Sequence, residues 1–291
     1  MVPARTIRVL ERVRRTCLLG VRFWDPLTQA FITDGLVVTA APVGRPQARR
    51  TAIANRRGGY VFDGLPGMRD LEIGDDPGPG TVPSPPGSRE FDLRVDDPLG
   101  RFVPILFRAV VPTEGWTSLA CEPAPTGRPA DAIPLFSSPA RSTGGRVAMV
   151  RADLWNANAE RPAAWAVLEV RVATPGGVAL ARGLSDENGR VMVAFVYPEM
   201  TPPPAPVSPP APRTGLTAQT WGLDLSVRFA ALPGTRQRLP DLCVILGQAQ
   251  GTLILQESPA QPLTRGTLLY GQERVLCTPG DAQGRLLVLP G

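Results

Sequence analysis

The stretch that decides the fold is NRRGGYVFDGLP at residues 55–66, which recurs in altered form as DENGRVMVAFVYP at residues 186–198. Each copy consists of a polar turn, a glycine, an alternating strand and a closing proline. Gly58 and Gly189 can take the positive φ that a tight corner requires, and alternate residues of the strand then face a core. The apolar runs GLVVTA and GVALARG, which precede the two copies, would form the other arm of a hairpin. Proline ends the hydrogen bonding of each strand.

Similar short apolar runs surround both copies. They are rich in β-branched and aromatic residues, and Gly, Pro, Asp or Asn separate them, which is the pattern of strands and their turns. The first group lies at 17–24, 35–43, 59–66, 89–96 and 101–111, and the second at 146–155, 163–173, 177–186, 190–198 and 220–233. Six or seven strands within about 110 residues are typical of an Ig-like sandwich. No stretch has a convincing helical pattern.

The units of turn, glycine, strand and proline resemble the carboxypeptidase-regulatory-like or transthyretin-like sandwich family. The resemblance covers the two quoted motifs and the strands before them. It implies a fold and no particular function, because such modules serve as spacers and docking domains in many proteins. The enzymes of the family, hydroxyisourate hydrolases and sandwich dioxygenases, depend on histidine. This chain contains none, so their chemistry does not carry over.

We therefore predict an all-β fold with two tandem Ig-like (transthyretin-like) β-sandwiches, Pro-rich loops and a β-rich C-terminal tail. The expected division is 1–113 for the first sandwich with an N-terminal strand arm, 114–145 for an irregular linker, 146–233 for the second sandwich and 234–291 for a C-terminal β extension. The tail would extend the second sandwich, form a small subdomain or pair with a neighbouring subunit. The Pro-rich stretches 75–87 and 201–215 are expected to be exposed loops, with docking to proline-binding partners as the alternative.

The composition excludes several enzyme classes. The chain has no histidine and no lysine, so all 31 basic residues are arginine. Histidine-based nucleophile systems, Schiff-base chemistry and the P-loop lysine are therefore absent. Paired carboxylates of the glycosidase type remain, but Asp92, Asp96 and Asp97 are expected to be surface charges paired with nearby arginines. We predict a protein that is not an enzyme and has no catalytic residues.

No metal or cofactor is indicated by the sequence, and whether a small molecule binds is left open. The run 186–188 could be read as a calcium loop, but it lacks the further acidic ligands of an EF-hand and is interpreted as a turn. The cysteines, at positions 17, 121, 243 and 277, contain no CxxC pair. They are expected to be small buried hydrophobic residues, and a disulfide framework or a metal site is the less favoured alternative.

The charge and the N-terminal sequence bear on location. The net charge of +5 is spread along the chain, so nucleic-acid binding is not expected. The apolar run near the N-terminus is too short for a signal peptide, and no run reaches the roughly 20 apolar residues of a membrane span. We expect a cytoplasmic protein with no membrane span, or one that leaves the cell as part of a released particle.

A second resemblance concerns the whole chain. The segments 91–104, 134–142, 161–170 and 181–199 resemble β-rich accessory proteins of phage-tail-like contractile injection particles. This implies a structural protein that contacts protein subunits of a larger assembly through edge strands and aromatic anchors. The interface candidates are Trp116, Arg12, Arg15, Leu269 and Tyr270. The alternative is a carbohydrate- or ligand-binding module with a tryptophan platform, although core packing is the default for Trp24 and for Trp165, which we assign to a strand.

Overall fold

The structure is a computed structural model. It describes residues 14–74, 87–112, 116–117, 119, 121, 128–144, 147–174, 176–198, 218–231, 239–257 and 260–291. Arg12, nearly all of the Pro-rich stretch 75–87 and the whole of 201–215 lie outside the described residues.

The described part is built almost entirely of strands, and the prediction of an all-β fold is confirmed. The strands are β1 (Arg14–Arg15), β2 (Gly20–Asp25), β3 (Ala30–Phe31), β4 (Val37–Pro42), β5 (Arg50–Thr51), β6 (Ile53–Ala54), β7 (Gly59–Val61), β8 (Ile73–Gly74), β9 (Arg89–Asp96), β10 (Ile105–Val111), β11 (Ala132–Pro134), β12 (Val147–Asn156), β13 (Arg161–Pro162), β14 (Val167–Thr174), β15 (Gly177–Leu184), β16 (Arg190–Val196), β17 (Thr220–Arg228), β18 (Gln250–Glu257), β19 (Ala260–Pro262), β20 (Arg265–Leu269), β21 (Glu273–Leu276) and β22 (Leu286–Leu289). The helices are α1 (Arg69–Glu72), α2 (Leu242–Leu246) and a single 3₁₀ turn, Pro46–Ala48.

The first module contains two sheets that share one core. One sheet has the order β10-β9-β4-β5, and the other has β11-β2-β7-β6 with β3 on β2. Residues of β10 alternate between buried and more exposed positions, as a strand with one face on a core must. Large side chains from both sheets, including Phe23, Tyr60, Phe91 and Phe107, are completely or almost completely buried. This burial of aromatic rings stabilises the module.

The second module is one hydrogen-bonded sheet of eleven strands that curls over its own core. Its main order is β13-β12-β22-β18-β17-β14-β15, and β16, β19, β20 and β21 pair alongside. Strands β21 and β22 run parallel to β12, and β18 and β20 pair with β17. The strands of the C-terminal tail therefore lie between β12 and β17 inside this sheet. The Ig-like or transthyretin-like topology of each module stays a prediction.

The segment between the modules is ordered against the first module where it is described. Its strand β11 pairs parallel to β2, and the Leu135 N–H donates to the carbonyl of Trp24 at 3.0 Å. Arg141 then forms an ion pair with the buried carboxylate of Asp25 at 2.6 Å. Burial acts to raise the pKa of Asp25, but the hydrogen bonds and charge of Arg141, together with hydrogen bonds from Thr28 and the Leu27 N–H, hold that pKa below its ordinary value.

The two modules meet at helix α2. Leu242, Ile245 and Leu246 of this helix, together with Trp165 and Val167 of the second module, belong to the core of the first. Trp165 is buried as expected, but it lies in the turn before β14 at a φ of 62° and not in a strand.

The buried Gln248 side chain ties the same junction together. Its amide donates to the Trp165 carbonyl at 2.8 Å, and its oxygen accepts the Ala230 N–H at 2.7 Å. Side-chain amides buried in this way stabilise a junction only when both ends are bonded, as they are here.

The cysteine prediction is wrong. Cys121 and Cys243 form a disulfide across 122 residues of sequence, which fastens α2 to the first module. Cys17 and Cys277 are exposed free thiols, and not buried hydrophobic residues. The pairing could not be predicted because connectivity depends on which segments meet in space.

The prediction that each motif joins the two arms of a hairpin is also wrong, because the predicted arms do not pair with each other. GLVVTA lies in β4, which pairs with β9 and β5, while β7 pairs with β2 and the short β6. GVALARG lies in β15, which pairs with β14, whereas β16 pairs with β12. Neither upstream strand therefore pairs with the strand that follows its motif. At the second motif the two strands cross closely, because a Cβ at Gly183 would lie 2.6 Å from the Met192 carbonyl oxygen.

Candidate interaction surface

Strand β15, at one edge of the second module, is the longest edge strand in the described part of the chain. All eight residues of β15 pair in unbroken antiparallel register with β14, from Val167 opposite Leu184 to Thr174 opposite Gly177. No described strand pairs with the other edge of β15. An edge of this kind offers a row of backbone N–H and C=O groups to another strand.

The first half of this strand is exposed on both faces. Residues 177–180 are all exposed, and the side chains of Val178 and Leu180 retain 65% and 45% of their accessible surface. Residues 177–180 contain no charged residue, proline or β-bulge, although these are the usual features that keep an edge strand from pairing with another strand. We therefore regard 177–182 as the candidate docking strand.

The other long edge strands carry such protection. In β10, Arg108 points to solvent and forms ion pairs with Glu90 and Asp92, both at 3.2 Å. The same strand also forms an isolated bridge between Leu106 and Asp241. The free side of β16 is approached closely by β15 at Gly183. Strand β15 differs from β10 and β16 because residues 177–180 are exposed and carry no such protection.

An arginine cluster lies beside the docking strand. Glu169 of β14 is 3% exposed and accepts ion pairs from Arg171 at 3.0 Å, Arg182 at 3.1 Å and Arg228 at 3.3 Å. Within the described residues, three guanidinium groups therefore surround one carboxylate. The three arginine side chains keep 28–44% of their surface, so these side chains reach solvent.

The register places the cluster and the exposed apolar residues on one face. Glu169 is opposite Arg182, Arg171 is opposite Leu180 and Ala173 is opposite Val178. Because side chains two apart in a strand point the same way, Val178, Leu180 and Arg182 share the outer face of the sheet. The row runs from apolar to positively charged along β15.

Trp116 is not placed as an exposed anchor. Its ring lies over two glycines of the first module, since a Cβ at Gly20 or Gly59 would come within 2.5–2.6 Å of it. The guanidinium of Arg22 covers the other part of the ring, 4.3 Å from its centroid. Trp116 is therefore half-buried and packs against the first module. A role at an interface stays a prediction for this residue.

Leu269 and Tyr270 are brought to one end of the second module. The ring of Tyr270 lies 4.9 Å from that of Tyr197 and 6.4 Å from that of Trp221. The Tyr197 hydroxyl accepts the Gly271 N–H at 2.9 Å, which fixes the ring. Leu269 is exposed beside this aromatic cluster. The sequence indicated two members of the group, but not their contact with Tyr197 and Trp221, because these lie on other strands.

Arg15 lies in β1, where it pairs with Ile73 of β8. It is remote in the chain from both the docking strand and the aromatic cluster, and Arg12 is outside the described residues. Among the described candidates, Leu269 and Tyr270 lie together in the second module, whereas Trp116 packs in the first.

The acidic residues singled out in the sequence serve as turn and surface partners. Asp186 accepts N–H groups of Asn188 and Arg190 at 2.8 and 2.9 Å, which is the geometry of a turn. Asp92 pairs with Arg108, and Asp96 pairs with Arg94 at 2.8 Å, as expected. Asp97 also pairs with an arginine, Arg101, at 3.1 Å, but it is not a surface charge, because its side chain is 1% exposed inside a turn and accepts the Arg101 N–H at 2.7 Å. Within the described ranges, no group of three or more His, Cys, Asp or Glu side chains could hold a metal ion.

A groove with both polar and apolar walls lies between the linker and the second module. It has a volume of about 370 Å³ and is lined by Ser138, Arg151, Asp153, Arg190 and Glu273 among others. A neighbouring groove shares Asp153 and Arg190 and adds Trp155, whose ring is covered by Arg285 at 4.4 Å. Charged walls and one aromatic ring could receive a polar ligand.

Comparison with known proteins leaves the family open. No family model matches the chain, and no curated protein matches it. A solved structure of a candidate adhesin from Bacteroides ovatus ATCC 8483 aligns with 100% of this chain and 99% of its own, at 11% identity and a TM-score of 0.22. A likeness at that score carries no argument about function. Across the described residues, no helix is both long enough and apolar enough to cross a membrane.

Proposed function

We propose that this protein is a non-catalytic assembly protein that holds subunits of a larger complex through protein–protein contacts at β15. The observation that carries the proposal is the eight-residue strand whose second edge is unpaired in the described structure and whose exposed half bears Val178 and Leu180. An extended segment of another protein can add as a new strand to a sheet edge that lacks such protection. The missing histidine and lysine support a role without catalysis.

The finer form of the proposal is an accessory protein of a phage-tail-like contractile injection particle, assembled in the cytoplasm. It rests on the sequence resemblance at 91–104, 134–142, 161–170 and 181–199. The disulfide between Cys121 and Cys243 argues against a cytoplasmic location, since such bonds persist in oxidising surroundings. Counting the free thiols of the protein taken directly from its host therefore tests whether it is assembled in the cytoplasm.

The test uses two lysine substitutions at equally exposed positions. Val178 and Leu99 are each 65% exposed, but Val178 lies in the docking strand and Leu99 in a turn of the first module. We expect the wild-type protein and Leu99→Lys, purified from the native host, to be found by negative-stain microscopy in the same large object. Val178→Lys should be released as the free chain, because a charge on the edge opposes strand addition.

Exposed substitutions of this kind change the free energy of unfolding by less than about 0.5 kcal/mol, so equal melting temperatures verify that both variants fold. Retention of Val178→Lys in the assembly would contradict the proposal. So would a monodisperse wild-type monomer that hydrolyses a glycoside and loses that activity in Asp92→Asn.

A carbohydrate- or ligand-binding module is the second candidate, and the groove at Asp153 and Arg190 favours it. Trp155 replaces Trp116 as its aromatic residue, because Trp155 lines this groove whereas Trp116 packs on two glycines of the first module. A glycan array would support this function if binding is lost in Trp155→Ala and kept in Trp116→Ala.

A further inference from the structure

The aromatic cluster of Tyr197, Trp221 and Tyr270 lies at the end of the core of the second module. Trp221 shares the inner face of β17 with the buried Leu223 and Leu225, because side chains two apart in a strand point the same way. Tyr197 and Trp221 pack against that core, yet all three residues of the cluster are only half-buried. The rings therefore continue the core as an apolar surface that reaches solvent.

The three rings are inclined to one another and do not form a flat platform. The Tyr197 ring lies 5.1 Å from that of Trp221, with 37° between the planes, and 4.9 Å from that of Tyr270, with 42°. The planes of Trp221 and Tyr270 meet at 46°. Surfaces lined by aromatic rings are those on which extended Pro-rich segments dock.

The cluster also carries two hydrogen-bond donors. The Trp221 indole N–H and the Tyr270 hydroxyl have no hydrogen-bond partner among the described residues, whereas the Tyr197 hydroxyl accepts the Gly271 N–H. A Pro-rich segment in the polyproline II conformation makes no internal hydrogen bonds, so its carbonyl groups are available as acceptors. Rings and donors together match the chemistry of such a segment.

The chain itself supplies a Pro-rich segment next to the cluster. The sequence TPPPAPVSPPAPRTG occupies 201–215. The described chain stops at Pro198, directly after Tyr197, and resumes at Ala218, three residues before Trp221. We propose that the aromatic cluster binds the stretch 201–215 of its own chain. A tether at both ends beside the rings gives this stretch a high effective concentration at the cluster, which favours it over segments of other proteins.

This binding is separate from the proposed function. Trp221 lies on the inner face of the sheet, whereas Val178 of the candidate docking strand lies on its outer face. The inference therefore does not rest on docking at β15, and Val178→Lys should leave it unaffected.

Binding of a labelled peptide to the full-length protein tests the proposal. The probe is a fluorescent peptide with the sequence of 201–215, and its counterpart carries alanine in place of every proline. Both are titrated with the wild type and with a variant whose residues 201–215 are replaced by a Gly-Ser linker of equal length. Fluorescence anisotropy measures each dissociation constant.

We expect the linker variant to bind the proline peptide at least tenfold more tightly than the wild type, in which the tethered stretch already occupies the cluster. The alanine peptide should bind the linker variant at least tenfold more weakly than the proline peptide, because it lacks the rings and the preformed extended conformation.

Substitutions in the linker variant locate the site. Tyr270→Ala should weaken binding of the proline peptide about tenfold, and Tyr270→Phe, which keeps the ring and removes the donor, about threefold. Trp155→Ala is the matched control, since it removes a half-buried ring from the same module at the end of β12 remote from Val147, which pairs with Val196. It should leave binding unchanged. Melting temperatures check that the variants fold, and Tyr270→Phe decides if Tyr270→Ala does not.

The contrary results differ in what they overturn. Equal binding of the proline peptide by wild type and linker variant would contradict occupation by the stretch 201–215. Absence of binding by the linker variant would contradict the site, as would equal losses in Trp155→Ala and Tyr270→Ala. A wild-type dimer in sedimentation that the linker dissociates would show that the stretch of a second copy binds instead. The proposed function fails separately, if Val178→Lys remains in the native assembly.

Discussion

At the residue scale, four turns in the described part of the chain are closed by the same kind of side chain. In each, an Asp or Asn accepts backbone N–H groups two and four residues later, and a glycine at the fourth position has a positive φ. The four turns begin at Asn55, Asp97, Asp186 and Asp281. In the last three the fifth residue is an arginine that also forms an ion pair with the aspartate. The side chain thus replaces the hydrogen bonds that a tight corner removes from the backbone.

Two of these glycines differ in what surrounds them, which leads to a prediction. Gly189 has a φ of 79°, and a Cβ there would overlap the carbonyl oxygen of Leu154. Gly284 has a φ of 68° and open space around it. We expect Gly284→Ala to lower the free energy of unfolding by about 1–2 kcal/mol, from backbone strain alone. Gly189→Ala should lower it by about 2–4 kcal/mol, since the Leu154 carbonyl must also shift.

Urea unfolding of the two alanine variants and the wild type measures the difference. Equal losses in both variants would contradict the close approach at Gly189. A larger loss at Gly284 would contradict it more strongly.

The turn at Asp281 should also contribute to acid stability. Hydrogen bonds from the Arg285 side chain and backbone, together with its charge, lower the pKa of Asp281 to about 2. In the unfolded chain an aspartate has a pKa of about 3.9. The folded state therefore binds fewer protons between these values, so the stabilisation is present above about pH 4 and is lost as pH falls towards 2.

Asp281→Asn should lack this part of the pH dependence. Urea unfolding of wild type and variant from pH 2 to pH 6 would show a difference that narrows on acidification. Asp224→Asn is the control, because its exposed carboxylate lies 3.9 Å from its arginine partner. A difference between wild type and Asp281→Asn that is constant over this range would contradict the mechanism.

At the scale of elements, sequence periodicity predicts strands well and their neighbours poorly. The alternation in β9, β10 and β12 is visible in the sequence and is present in their burial. The partner of β15 was mispredicted, because proximity in sequence favours a hairpin while the sheet joins β15 to β14. The all-β class follows from local patterns, whereas sheet order depends on packing between distant segments.

The candidate docking strand shows the same limit. GVALARG is recognisable as a strand, but nothing within it reveals that only one of its edges is paired among the described strands. The arginine cluster is equally invisible in the sequence, since Glu169, Arg182 and Arg228 meet only through the register of three strands. Two of the four turns were found from the repeated glycine, and the pattern Asp-x-x-Gly-Arg would have revealed those at Asp97 and Asp281.

At the scale of the whole molecule, the junction at α2 decides whether the two modules act as one body. The core of the first module extends to Trp165, Val167 and the apolar side chains of α2, so separation of the modules would expose this surface. The Cys121–Cys243 disulfide closes the junction covalently. The candidate docking strand on the second module is then held in a defined relation to the first.

The disulfide is therefore expected to stabilise the chain as a whole. It joins residues 122 apart, and a cross-link over a long loop restricts the unfolded chain strongly. Cys243→Ser should lower the free energy of unfolding by about 2–4 kcal/mol, whereas Cys277→Ser, which removes an exposed free thiol, should have little effect. Urea unfolding of the oxidised proteins measures both, and dithiothreitol should lower the wild type to the level of Cys243→Ser. Four free thiols in the folded wild-type chain, counted by mass spectrometry after alkylation, would contradict the covalent junction and leave packing at α2 to hold the modules together.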